Sequence, residues 1–370
     1  MPLKLFRKFR SFDWFLIINI LLLIFFGLSA LYSLQFNTAD PDFTLFKKQV
    51  IFVIIGLILF FLVSFVNHHF WGDYYKVIII ISFLVLLLVL SLGVTLGGAR
   101  GWFEIGGTTI QPVELVKIAL VIFLAKFFSI HAKDLKVLKY IIISAIVTGG
   151  LVGLVIIQPD FGSAMILLSI WILIVAILPL KKKFYFKMFA IFIILLVISW
   201  SFVFQDYQRD RILTFMNPQN DPLGTGYNVT QSIIAVGSGQ FIGRGLALGS
   251  QSQLNFLPAQ ETDFIFAVIA EELGFIGASI LLVLFFTLFY RIFKILKKAS
   301  DDYSIFLILG ILTFLIAQLF INIGMNMGLA PIAGLPLPLV SYGGSSLIST
   351  LIALGIIHNI HLRNRDKYFN

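Results

Sequence analysis

Ten runs of apolar residues, most of them near the length needed to cross a bilayer, dictate the solvent in which this chain folds. They fall at about 14–34, 49–66, 77–94, 113–130, 140–157, 162–180, 188–204, 263–290, 305–327 and 343–361. In hydrocarbon, backbone amides are satisfied only by helices or closed barrels, and runs of about 20 residues fit helices. Composition agrees: 59% of the 370 residues are hydrophobic and 12% charged, a balance foreign to soluble globular domains. The expected fold is an all-α polytopic membrane protein with about ten transmembrane helices. Nothing marks a soluble domain, an internal repeat or a low-complexity tract, so residues 1–370 read as one membrane domain. The basic stretch Met1–Arg10 and the run after it imitate a signal peptide. That run, however, is about 20 residues long and lacks a small-residue cleavage site, so a retained first helix is expected. With no cysteine, the chain has neither disulfides nor thiolate metal sites.

Charge placement sets the orientation. Of the 27 Lys and Arg residues, nineteen fall in segments that ten crossings place on one side, among them Lys4, Arg7, Lys8, Arg10, Lys133 and Lys136. Six fall on the other side: Lys47, Lys48, Arg100, Arg209, Arg211 and Arg244. Lys117 and Lys126 lie inside the fourth run. The positive-inside rule then puts both termini in the cytoplasm and the long segment 205–262, between helices 7 and 8, outside. The +9 net charge is thus a topological signal, and no nucleic-acid partner is expected.

The long outer segment carries apolar residues of its own. Val229, Ile233 and Val236 recur at helical spacing, which predicts a short helix at the membrane surface. Gly237, Gly239, Gly243, Gly245 and Gly249 follow, and such residues permit tight turns and close approach of backbone to a ligand. The segment ends in Leu257-Pro258-Ala259-Gln260-Glu261-Thr262-Asp263 and enters the eighth run directly. A carboxylate at the mouth of a membrane helix is costly, which makes Asp263 the leading candidate for chemistry. A cap on the eighth helix is the plain alternative. Glu271 lies about 12 Å further along that helix and about 80° around it, while Glu272 faces the opposite way, so only Glu271 could share a site with Asp263. A helix from Asp263 to Phe293 would be about 46 Å long, so it must protrude or bend, with Gly274 and Gly277 as the bending points.

Other polar residues gather on the same side. Glu114 and Lys117, three apart, share a helix face and read equally as a neutralising pair or as functional charges. Asp160, in Gln158-Pro159-Asp160, reads first as an N-cap of the sixth helix. Gln318, Asn322 and Asn326 form a polar stripe on the ninth helix, by default interhelical hydrogen-bond glue. The proline- and glycine-rich stretch Gly334–Ser346 reads as a rigid turn at the outer surface. Charges collected at one interface fit an enzyme acting on a lipid-linked polar head group better than a transporter, whose charges would sit near the midplane. A scaffold for another membrane protein is the third class.

Six ordered motifs carry a family resemblance. They are Gly98-Ala99-Arg100-Gly101-Trp102, Gln111-Pro112-Val113-Glu114-Leu115-Val116-Lys117, Gln158-Pro159-Asp160-Phe161-Gly162, Asp221-Pro222-Leu223-Gly224-Thr225-Gly226-Tyr227, Thr262-Asp263-Phe264-Ile265-Phe266-Ala267 and Gly334-Leu335-Pro336-Leu337-Pro338. Together they resemble the SEDS family (shape, elongation, division and sporulation proteins) over essentially the whole chain. The run Gly249–Pro258, with short termini, is more similar to the elongation branch than to the division branch. Val113 stands where a serine is expected, Ala259-Gln260-Glu261 replaces a more basic stretch, and Gln240 stands where glycine is frequent.

The resemblance implies a peptidoglycan glycosyltransferase in the bacterial inner membrane, with its active site on the outer face, acting during cell elongation. It would join lipid II units to the growing glycan strand and release undecaprenyl diphosphate. A lipid II flippase and a non-catalytic scaffold are the alternatives. It further implies a class B penicillin-binding protein and other elongation-complex membrane proteins as partners. One carboxylate suffices as general base for the attacking sugar hydroxyl, because the diphosphate leaves as an anion and needs no acid. Asp263 takes that role. Arg100, Lys117, Arg209, Arg211 and Arg244 become candidate diphosphate partners, and Glu114, Asp160 and Glu271 complete the candidate substrate-binding set. A divalent cation, Mg or Mn, is a candidate cofactor for the same anionic leaving group.

Overall fold

In a computed structural model the described residues are 12–36, 42–131, 137–198, 206–217, 221, 224–254 and 256–369. The basic residues Lys4, Arg7, Lys8, Arg10, Lys133 and Lys136 of the topology argument, and Pro222 and Leu223 of one motif, lie outside them.

Helices form on all ten apolar runs: α1 (Trp14–Phe36), α2 (Thr44–Phe65), α4 (Tyr75–Leu92), α5 (Val113–His131), α6 (Val137–Ile157), α7 (Phe161–Ala176), α8 (Lys182–Ile198), α12 (Ile265–Leu296), α13 (Asp302–Asn326) and α14 (Gly344–Phe369). Among the described residues the remaining helices are the short α3 (His68–Asp73) and, in the long segment between α8 and α12, α9 (Asp206–Met216), α10 (Thr225–Ser238) and α11 (Ser250–Gln253). Among the described residues seven helices are long and apolar enough to cross a membrane: α1, α2, α4, α6, α12, α13 and α14. Of the other three, α5 carries Glu114, Lys117 and Lys126, whereas α7 and α8 span only 16 and 17 residues. The chain is a multi-pass membrane protein.

Two helices form the hub. The apolar stretches of α13 and α14 are mostly buried inside the protein, while those of α2 and α4 face largely outward, as helices against lipid do. Helix α14 packs along α2, and α13 packs along α5 and α7.

The all-α expectation needs one correction, a small antiparallel sheet between α4 and α5. Strands β1 (Val94–Leu96), β2 (Ala99–Ile105) and β3 (Thr108–Ile110) pair in order, with Leu96 opposite Ala99 and Ile105 opposite Thr108. Each turn is a Gly-Gly pair, Gly97-Gly98 and Gly106-Gly107, with positive φ at both residues, as two-residue hairpins of right-handed strands require.

The long helix α12 breaks at Gly274 (φ 63, ψ −163), one of the two points named for a bend. A break exposes amides and carbonyls that need new partners. The glycine-rich stretch of the segment between α8 and α12 supplies them. Arg244 N donates to the Glu271 carbonyl (2.9 Å) and Gly245 N to that of Glu272 (3.0 Å). In return Phe275 N and Ile276 N donate to the carbonyls of Gln240 (2.9 Å) and Phe241 (3.2 Å). A Cβ on Gly243 would collide with the Glu272 carbonyl, and one on Gly274 with the Gly243 amide. These glycines therefore serve contact between two parts of the chain, where the sequence had suggested approach to a ligand. The predicted helix around Val229 is α10, which buries Val229, Ser232 and Ala235 and leaves Ile233 exposed.

Gly243→Ala is expected to strain a residue at φ +92 and wedge a methyl into the seam, at a cost of about 1–3 kcal/mol. Thermal unfolding of the purified variant in detergent checks this; an unchanged midpoint would refute the seam as a stabilising element.

Candidate active site

The stretch 330–343, which overlaps the Gly334–Ser346 segment expected as a turn, packs into the bundle, with Leu335, Leu337, Leu339 and Val340 all buried. It has no regular secondary structure, so its carbonyls depend on side chains for partners. The stripe on α13 supplies them. Gln318 Nε2 donates to the Pro336 carbonyl (2.8 Å) and Asn322 Nδ2 to that of Leu335 (2.7 Å). The stripe reaches one step further, because Asn322 and Asn326 both donate to the carbonyl of Asp263, at 2.9 and 3.0 Å. Asn326 Oδ1 also accepts from Ala267 N in the first turn of α12 (3.1 Å), and its own carbonyl accepts from Ser232 of α10 (2.9 Å).

Asp263 is fixed from its other flank too. The amides of Thr262, Asp263 and Phe264 converge on the Ala259 carbonyl at 3.2, 3.0 and 3.3 Å. Ser341 Oγ donates to the Thr262 carbonyl (2.5 Å) and Tyr342 N to that of Glu261 (2.8 Å). Its backbone is thus clamped, yet its carboxylate does not cap the helix: the N-cap of α12 is Phe264, without a side-chain cap bond. The cap alternative does not describe Asp263. Removal from water pushes the Asp263 carboxyl up to about 6, against the opposing pull of the Thr262 hydroxyl and the Arg211 guanidinium, while Glu261 and Asp160 add to the rise. Gly334 of the buried loop passes close by, with space for a Cβ 3.7 Å from Asp263 Oδ2.

The other candidates divide into two groups. Arg211, on α9, acts electrostatically on Asp263 and donates to the Ile332 carbonyl (3.1 Å), which ties it to the same buried loop. Arg209, two residues earlier, is half-buried on the same helix. Asp160 joins this neighbourhood as the expected N-cap: it accepts from Ser163 N (2.9 Å) and from Gln111 Nε2 (3.0 Å), and burial raises its pKa. Glu114 and Lys117 form a fully buried ion pair (2.8 Å) beneath Asp160, with Ser349 Oγ donating to Glu114 (3.3 Å), and their charges act on Asp160.

The second group is engaged elsewhere. Arg100 donates to the Gly93 (3.1 Å) and Ser91 (2.9 Å) carbonyls, closing the end of α4. Glu271 is wholly buried and accepts from Gln251 N (2.8 Å) and Ser252 N (3.0 Å), which makes it an anchor for α11 and not a companion of Asp263. Glu272 anchors the loop in the same way through Ser33 and Ala247 N. Arg244 is exposed at the seam. Gln111 and the asparagine pair are the residues that sequence reasoning left out of the site, although the stripe itself was visible. Among the described residues, no set of three His, Asp or Glu ligands converges at Asp263.

The bundle is that of a multi-pass membrane protein that holds the Asp263 carboxyl, free of any helix cap, on clamped irregular backbone among the charges of Arg211, Glu261 and Asp160. Residues 13–366 match the FtsW/RodA/SpoVE family of cell cycle proteins, and the chain belongs to that family. It is 35% identical over 370 residues to stage V sporulation protein E of Bacillus subtilis, covering 97% of this chain and 99% of that one. It is 33% identical to the peptidoglycan glycosyltransferase MrdB of Escherichia coli, with 89% of each chain covered. Its fold is similar to a solved chain described under "Structural coordination of polymerization and crosslinking by a peptidoglycan synthase complex", at TM-score 0.79 and 31% identity over 97% of this chain and 99% of that one.

Because Asn322 and Asn326 share the Asp263 carbonyl, either one alone still satisfies it. Single Asn→Leu replacements are expected to cost about 1–3 kcal/mol each, and the double replacement about 1 kcal/mol more than their sum. A double-mutant cycle on thermal or denaturant unfolding reads this coupling, and strict additivity would show that the shared carbonyl is not a common load.

Proposed function

We propose that this chain is a peptidoglycan glycosyltransferase that polymerises lipid II, with Asp263 as its general base. The observation that carries the reading is the uncapped carboxylate at the head of α12, clamped through its backbone and facing Arg211, in a chain of this family. The acceptor's sugar hydroxyl attacks the anomeric carbon of the donor strand while Asp263 accepts the hydroxyl proton. The new C–O bond forms as the bond from the anomeric carbon to the diphosphate breaks, and undecaprenyl diphosphate departs as an anion. Arg211, whose charge acts on Asp263, is the cation proposed to meet that charge; Arg209, two residues earlier on α9, faces another side of that helix, and Lys117 is already committed to Glu114. A Mg or Mn ion, if used, would be held mainly by the phosphates with Asp263 and Glu261 as carboxylate donors.

Ten crossings would place Asp263 on the outer face of the bacterial cytoplasmic membrane, with both termini inside. The run Gly249–Pro258 supports a role in elongation, and likeness to a chain of a peptidoglycan synthase complex supports a class B penicillin-binding protein as partner.

Asp263→Asn is expected to abolish glycan product from purified protein and lipid II in detergent. Polymerisation at a near-normal rate would remove Asp263 from the chemistry. Flipping without product would make the chain a flippase, and neither activity, with the partner present, would leave a scaffold.

The rate of the wild-type protein should rise with pH through about 6 and level off above it, since the base must be ionised. Stability runs the other way. The folded carboxyl binds its proton more tightly than its ordinary value of 3.8, so the stabilisation from that proton is complete below 3.8 and lost as pH rises through about 6. At pH 7.5 Asp263→Asn should therefore melt no lower than wild type while being inactive, and a large drop in midpoint would make the carboxylate structural.

A further inference from the structure

At the other end of α13 from Asp263, two imidazoles and a carboxylate converge. The ligand atoms of His68, His69 and Asp301 all lie within 4.8 Å of one another. His68 opens α3, and Asp301 is the N-cap of α13. Ser304 and Asn322 are eighteen residues apart on α13, so about 27 Å separates this cluster from the Asp263 clamp.

The donor set is organised as metal ligands usually are. Asn359 Oδ1 on α14 lies 2.9 Å from His68 Nδ1 and also accepts from the His68 amide (3.0 Å). A carboxamide oxygen can only accept, so Nδ1 carries the hydrogen and Nε2 the lone pair. The amide cannot be reversed, because Asn359 Nδ2 donates to the Ser64 carbonyl (2.7 Å). An outer partner that fixes the imidazole tautomer in this way is the common support for a ligating histidine. Asp301 Oδ2 accepts from the Ser304 amide (3.0 Å), which orients the carboxylate without using the Ser304 hydroxyl and leaves lone pairs over. Ser304 Oγ lies 2.9 Å from His68 Nε2 and 2.8 Å from Asp301 Oδ1 with one hydrogen for the two, and rotation about χ1 frees both atoms while the Ser304 amide still holds Asp301. The His69 ring stands 4.3 Å from that of His68, centre to centre, and is half-buried with Asp301, which leaves a way in from solvent.

We propose that His68, His69 and Asp301 form a binding site for a transition-metal cation of the Zn2+ class. Two imidazoles and one carboxylate select such ions over Mg2+ and Ca2+, which prefer all-oxygen shells. The ion ties the α2–α3 junction to the start of α13 across more than half the chain, in the manner of a clip that closes a long loop. It sits apart from any cation that the reaction itself employs.

The test uses the full-length protein with its affinity tag removed, stripped with a chelator and reloaded with ZnCl2 or CoCl2. About one zinc per chain should survive gel filtration, Co2+ should give visible ligand-field bands, and zinc should raise the unfolding midpoint. His69→Gln and Asp301→Asn should each weaken zinc binding at least about 10-fold. Asn retains the N-cap of α13, so Asp301→Asn keeps the fold while it removes the charge. Asp263→Asn should leave zinc binding unchanged. The proposal is overturned if wild type retains no more zinc than the double variant His69→Gln/Asp301→Asn, if Co2+ gives no bands, or if Asp263→Asn is the change that removes the metal.

Discussion

The structure depends on how buried, irregular backbone finds hydrogen-bond partners without water. Two such stretches meet inside the bundle, 259–264 and 330–343, and unsatisfied carbonyls there would cost about 1–3 kcal/mol each. A single helix face resolves both. Gln318, Asn322 and Asn326 direct their amide hydrogens at Pro336, Leu335 and Asp263. The candidate acid is therefore located by its carbonyl, and its side chain is left without a structural duty. That separation lets a carboxylate stay chemically available while its position is set elsewhere.

The remaining buried charges show the contrast. Lys117 is neutralised by Glu114, and Asp13 by Arg291 (2.6 Å), so each pair offsets its own desolvation. Glu271 and Glu272 are consumed by backbone amides and a hydroxyl of the outer segment and α1. Asp263 has only Thr262 and the field of Arg211 against burial, and the outcome is a carboxyl poised close to neutrality. A group in that condition can both take and release a proton at physiological pH, which is what a general base requires.

Much of this was legible in the sequence, for identifiable reasons. Helix positions followed from apolar run length, the break in α12 from a helix too long for a bilayer, and the role of Asp160 from N-cap chemistry. The polar stripe was visible as periodicity, but its target was not, since the carbonyls it reaches lie sixty residues away or across a loop whose path no local pattern gives. The sheet was not anticipated although its two Gly-Gly turns, Gly97-Gly98 and Gly106-Gly107, are a direct hairpin signal; three short strands of at most seven residues make no run of bilayer length. Glu271 was judged by its angle on an ideal helix, and only the refolded outer segment reveals that its oxygens are occupied. Arg100 was taken as free for a ligand because capping of a helix end by a strand residue is a tertiary event.

The interruption at Gly274 also has a mechanical meaning. The ten residues 264–273 between Asp263 and the break are a short rod, pinned at one end by asparagines of α13 and at the other by residues 240–245. The longer rod beyond the break carries the lipid-facing surface with Phe275, Ile276 and Ile280. The glycine joint between them is braced from both sides by residues 240–245. Bonds from one stretch to both rods hold them at a set angle, so the direction of the lipid-facing rod is fixed by a loop and not by the helix's own ladder.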